Sequence, residues 1–132
     1  MVSVGRGTNK QFQFLGHPGS TIGGDRFTPV SRPGASKPKY QNQECRGFDL
    51  SQVDELALYQ KGELNLEYLI QFYQDAQDKE AFFNSFFTKL AGTKKLQNQI
   101  ESGLSSEEIK KTWQASLQKF KTQRKRFLLY PE

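Results

Sequence analysis

The stretch over residues 16–43 closes off the all-helical folds open to a chain of this length. Between Pro18 and Pro38 it holds four glycines (Gly19, Gly23, Gly24, Gly34) and four prolines (Pro18, Pro29, Pro33, Pro38). Proline removes a backbone donor and glycine is costly to order, so no long helix runs through it. Only Arg26-Phe27-Thr28-Pro29-Val30 has strand character, and Pro29 restricts it to an edge. A loop this long in a compact domain is either functional or disordered. Phe27, Val30 and Tyr40 are apolar anchors that favour an ordered surface loop.

The remainder is helical by pattern. Leu66, Leu69, Ile70 and Tyr73 share one face of a helix predicted over 65–76, with Asn65 as its cap. A second helix is predicted over 78–91, carrying Phe82, Phe83, Phe86, Phe87 and Leu90, with Gly92 as a left-handed stop. Thr93 opens a third, reaching residue 102, with Leu96 and Ile100 inward and Gly103 beyond it. Ser105-Ser106-Glu107-Glu108 is a capping box that starts the longest helix, striped by Ile109, Trp113, Leu117 and Phe120. Phe127-Leu128-Leu129-Tyr130 is expected to fold back onto the core as an extended tail. Upstream, 11–15 and 44–50 read as neighbouring strands. Residues 53–59 fit either a third strand or a helical turn. The class is α+β: one domain over 1–132, with a loop-rich half of short strands packed on a helical half over 64–130.

Composition excludes more than it selects. Eleven Phe, five Tyr and one Trp carry the burial. No apolar run approaches the roughly 20 residues of a membrane span. Cys45 is the single cysteine, so an internal disulfide and a cysteine zinc site are excluded, and it reads as a small buried residue. With His17 the one histidine, a Cys–His nucleophilic pair is weakly supported. His17, followed by Pro18, is expected to donate to a loop carbonyl. The net charge of +5 permits nucleic acid, anionic lipid or acidic polymer without choosing among them. Lys110, Lys111, Lys119, Lys121, Arg124, Lys125 and Arg126 cluster on and after the last helix. A helix C-terminus favours cations, and Trp113 and Phe120 belong to the apolar stripe, so the run reads as a solvated face rather than a nucleic-acid site.

No phosphate-binding loop, zinc motif, serine-nucleophile elbow or carboxylate pair stands out, and no catalytic residue, metal ligand or cofactor site is assigned. The best ligand-facing group is in Gly5-Arg6-Gly7-Thr8. Two glycines admit positive φ and close approach, and Arg6 between them offers a planar fork of donors for a carboxylate, phosphate or carbonyl. A salt bridge tying down the loop is the competing role for Arg6.

These residues form part of an ordered series: Val4–Thr8, Phe12 through Pro18, Arg26-Phe27-Thr28-Pro29, Ser36 through Tyr40 and Glu44-Cys45-Arg46-Gly47-Phe48-Asp49-Leu50. Leu90-Ala91-Gly92-Thr93, Ile100-Glu101-Ser102-Gly103, Trp113, Phe120, Arg124 and Phe127 to Pro131 continue it. Over nearly its whole length the chain resembles the C-terminal domain of bacterial exo-β-N-acetylmuramidases, glycoside hydrolase family 171, first catalogued as domain of unknown function 1343. The resemblance implies a Rossmann-like catalytic domain preceding this one on the same polypeptide, and an active site in the cleft between them. It also implies removal of N-acetylmuramic acid from the non-reducing end of peptidoglycan fragments, and export, often as a lipoprotein, in organisms such as Bacteroidetes. This chain would then be the auxiliary half, with Gly5, Arg6, Gly7, Thr8 and His17 facing the cleft. An acidic residue often precedes the family's Gly-Arg-Gly-Thr, where this sequence has Val4. A stand-alone cell-wall glycan-binding module and a basic nucleic-acid-binding domain are the alternatives.

Overall fold

The computed structural model describes residues 2–130. They fall into two compact units, divided between Phe87 and Thr88. The class is α+β.

The first unit is built on a three-stranded antiparallel sheet: β1 (Phe14–His17), β2 (Asp25–Phe27) and β3 (Cys45–Asp49), in the order β1-β3-β2. Gly16 lies opposite Gly47 and His17 opposite Arg46. On the other side of β3, Phe27 lies opposite Cys45. The expected strand pairing is present, and β2 is an edge strand ending before Pro29. The first strand starts later than the 11–15 prediction. Phe12 takes a left-handed backbone (φ 64°), and the Phe12 N–H bonds to Val4 O at 2.7 Å, so the chain turns before it pairs.

The stretch over 53–59 resolves as helix from Glu55 onward. In α1 (Glu55–Lys61), Asp54 caps the start by accepting from the Ala57 N–H, and Gly62 closes the end at φ 58°. The next helix, α2 (Glu67–Asp75), begins where the Asn65 side chain accepts from the Glu67 N–H at 2.9 Å. Its Ile70 and Phe72 are buried, and Phe48 of β3 stands edge-on to Phe72 at 5.8 Å and tilted on Tyr68 at 5.2 Å. Full burial of a ring such as Phe72 contributes about 2–3 kcal/mol.

The helix predicted over 78–91 is shorter: α3 spans Ser85–Ala91. Phe82 and Phe83 leave the helical pattern to gather on Tyr73, with ring centres 5.5 and 5.4 Å away. Asp78 accepts from the Ala81 N–H and Asn84 from the Phe87 N–H, turning the chain before α3 begins.

In the second unit, α4 (Lys95–Glu101) follows Thr93, whose hydroxyl accepts from the Lys95 N–H. Gly103 ends it at φ 80°. The Ser105–Glu108 capping box is present in both directions and opens α5 (Ser106–Lys111). The long helix expected from there is broken. Thr112 donates its hydroxyl to Ile109 O and accepts from Gln99 Nε2 at 3.0 Å, and the chain restarts as α6 (Gln114–Arg124). Ile109 of the apolar stripe is fully buried and Trp113 half-buried, but Leu117 and Phe120 are 43% and 57% exposed. The tail is likewise not folded onto a core. A 3-10 turn over Lys125–Phe127 leads to exposed Leu128, Leu129 and Tyr130.

Candidate functional site

The Gly-Arg-Gly-Thr loop is shaped by its backbone. Gly5 and Gly7 are buried at φ 74° and 85°. A Cβ on Gly7 would stand 2.6 Å from Val30 O and 2.7 Å from Pro38 Cγ, and one on Gly5 would stand 2.8 Å from Lys10 O. The Val30 N–H donates to Gly7 O at 3.0 Å, fastening the loop to the 16–43 segment. Thr8 is buried and closes the turn: its hydroxyl donates to Gly5 O at 2.7 Å and accepts from the Lys10 N–H at 3.0 Å. Arg6 is left exposed between the glycines. Its Nη2 donates to Gly34 O at 2.8 Å, with no carboxylate partner among the described residues. A guanidinium has five N–H donors, so most of the fork stays available to an anion.

Beside this loop, Lys10 Nζ bonds Asp49 Oδ2 at 2.6 Å and Ser51 Oγ at 2.8 Å. Hydrogen bonds from Lys10 and Ser51 hold the Asp49 carboxyl down at about 2.

His17 belongs to a different cluster. It accepts at Nδ1 from the Gly19 N–H at 3.1 Å, rather than donating to a loop carbonyl as expected. Pro18 puts the Gly19 amide two residues on, within reach of the ring. The ring proton therefore sits on Nε2, 4.0 Å from Asp75 Oδ2. Burial pushes the His17 pKa below 6.5, outweighing the attraction of Asp75, so the imidazole is neutral.

Nothing in the sequence singles out Asp75, the last residue of α2. Its side chain is only 4% exposed. It accepts from Ser20 Oγ at 2.8 Å and the Thr21 N–H at 3.0 Å, and it also accepts from Thr21 Oγ1. Burial raises its pKa, but the bonds from Thr21 and Ser20, with His17 nearby, prevail and hold it below 3.8. The available sequence signal was Ser20-Thr21, two adjacent hydroxyls in a loop.

A cavity of about 360 Å³ opens beside His17, with Tyr40, Gln77 and Asp78 as its other polar lining and none of residues 5–8 on its wall. His17 and the Arg6 loop do not share that cavity. Cys45 is fully buried, as expected, and burial pushes its thiol up to about 11. Among the described residues no group of His, Cys, Asp and Glu is arranged to hold a metal ion. No helix there is long and apolar enough to cross a membrane.

The basic run lies on the ends of α5 and α6, where Lys110, Lys111, Lys121 and Arg124 complement the helix dipoles. Because Phe120 is exposed, burial of that ring no longer counts against a stacking role.

Fold and site define a small α+β domain that presents an arginine on a glycine-held loop and keeps a histidine–carboxylate pair beside a cavity. The chain belongs to the family described as the C-terminal domain of the exo-β-N-acetylmuramidase NamZ, whose model matches residues 1–130. It is 28% identical over 148 residues to the peptidoglycan β-N-acetylmuramidase NamZ of Bacillus subtilis strain 168, covering 98% of this chain and 34% of that protein. It is also similar to the crystal structure of a DUF1343 family protein from Bacteroides fragilis. That match has a TM-score of 0.92 and 43% identity, over 99% of this chain and 37% of that one. The chain thus spans about a third of the length of each relative.

Proposed function

We propose that this chain is the auxiliary C-terminal domain of an exported, peptidoglycan-degrading exo-β-N-acetylmuramidase. In this reading it forms one wall of the substrate cleft against a catalytic domain on the same polypeptide, with residues 5–8 and His17 on the substrate side. The observation that carries it is Arg6. Two buried glycines that tolerate no side chain hold a guanidinium out with most of its donors unused. Muramic acid bears a lactyl carboxylate, which a planar fork grips bidentately. Gly5, Gly7 and Thr8 set the loop that positions it, and the chemistry on the glycosidic bond falls to the rest of the polypeptide.

The test is Arg6→Ala and Arg6→Lys in the full-length enzyme, assayed on muramic-acid-ended fragments. Loss of a bidentate charged contact of about 2 kcal/mol raises KM by about 30-fold in the alanine variant. The lysine variant recovers only part of it, and the unfolding midpoint stays unchanged because Arg6 is exposed. Unchanged kinetics in Arg6→Ala would remove Arg6 from the substrate site.

A stand-alone glycan-binding module is the second reading, favoured by Phe12, a ring 71% exposed near the same loop. The two differ in whether this chain binds glycan without the rest of the polypeptide.

A further inference from the structure

Within its own unit, α6 (Gln114–Arg124) has little to hold it. No side chain in it is buried, its N-cap Trp113 makes no side-chain hydrogen bond, and its first turn carries no acid. A helix of 11 residues left to propensity alone is marginal in water. Its order calls for a surface to pack against.

The run Ile109, Trp113, Leu117 and Phe120 shows where that surface is missing. Ile109 is fully buried and Trp113 half-buried, whereas Leu117 and Phe120 are exposed, with no change of residue chemistry to match. Phe127, Leu128, Leu129 and Tyr130 extend the apolar surface, with Leu129 reaching 91% exposure. A contiguous patch of this kind marks an interaction site. Leucines do not stack on bases as aromatic rings do, so a surface that mixes Leu117, Leu128 and Leu129 with its rings suits an apolar protein face rather than nucleic acid.

Charge narrows the partner. No Asp or Glu lies between Glu108 and Glu132, while Lys119, Lys121, Lys125 and Arg126 fall there and are exposed. A second copy paired through the same face would set cations against cations. The complement is an apolar patch with acidic residues around it. The chain spans about a third of the length of each relative, so the remainder of such a polypeptide is tethered to this surface at high effective concentration.

We propose that Leu117, Phe120 and Phe127–Tyr130 dock on an acid-rimmed apolar patch elsewhere on the same polypeptide, a contact separate from the substrate loop at residues 5–8. The inference rests on the reading above that a further domain shares the polypeptide, and not on what that domain hydrolyses.

The experiment places the photo-crosslinking residue benzoylphenylalanine at position 120 or 129 of the full-length polypeptide, with position 118, on another face of α6, as the control. Irradiation is expected to give adducts at 120 and 129 to residues outside 1–132 of the same molecule, without a dimer band, and few at 118. Dimers, adducts to lipid alone, or no adduct at either position would overturn the proposal. Hydrogen exchange of the full-length polypeptide reads the same contact without a modified residue. The α6 amides are expected to be protected in the wild type and to exchange at least about tenfold faster in Leu117→Asp. Unprotected α6 amides in the wild type, or equal exchange in the two, would likewise overturn it. Hydrolysis of muramic-acid-ended fragments is scored separately. If the wild type cannot hydrolyse them the muramidase reading falls, while adducts at 120 and 129 still stand for the docking surface.

Discussion

In the 5–8 loop a cation is held out by the backbone; at Asp75 an anion is held in by side chains. Arg6 owes its position to two glycines at positive φ with no space for a Cβ, and to hydrogen bonds between main-chain groups. Asp75 owes its position to Ser20 and Thr21, 55 and 54 residues earlier in the chain, whose hydroxyls and amide fill its lone pairs. The first arrangement is damaged by adding atoms and the second by deleting them. Sensitivity to substitution therefore reports how a charge is positioned, not only that it matters.

The largest effect is expected from Gly7→Ala. Left-handed strain and overpacking against Val30 O and Pro38 add to about 4 kcal/mol of destabilisation, read as a lower urea midpoint. A midpoint within experimental error of wild type would show that the loop yields, and that Arg6 is not held by its glycines.

Asp75→Ala comes next. Removing the acceptor strands the Ser20 and Thr21 donors and costs about 3 kcal/mol, while Asp75→Asn, which still accepts, loses about half of that. Equal losses in the two would mean that charge, not hydrogen bonding, holds the cluster.

The smallest effect is with pH. Because the folded His17 pKa lies below 6.5, the unfolded chain takes up its proton first as pH falls. The stabilisation from a neutral His17 is complete above 6.5 and is lost as pH falls from there toward the folded value. Asp75, lowered by its hydrogen bonds, keeps its contribution above 3.8 and loses it at still lower pH. Urea midpoints from about pH 8 to about pH 4 should show the upper step, and His17→Gln should abolish it. A flat wild-type profile through the upper window would show that the imidazole is hydrated in the folded chain.

What the sequence disclosed follows the range of each interaction. The Ser105–Glu108 box, the Gly92 and Gly103 stops and the Asn65 and Thr93 caps are bonds within a few residues, and they are legible as spelling. The strand over 44–50 and its place beside the first were legible, whereas their antiparallel sense was not. The shortening of α3 was not, because Phe82 and Phe83 fit a helical stripe equally well and only the Tyr73 ring decides otherwise. Leu117 and Phe120 show that an apolar stripe records a preference for burial without naming what provides it. At the candidate site, the glycine-flanked arginine was readable and the Asp75 cluster was not, since its partners meet only once α2 has docked.

Cys45 gives the sheet a property unrelated to any ligand. Its sulfur is fully buried, weakly bonded to Gln43 O at 3.8 Å, and burial pushes the thiol up to about 11. A thiol in that state is inert to electrophiles and oxidants for as long as it stays buried. Each modification event therefore counts an excursion in which the cover over Cys45 opens. The chain carries its own recorder of how often its first unit opens, one that leaves a permanent covalent mark.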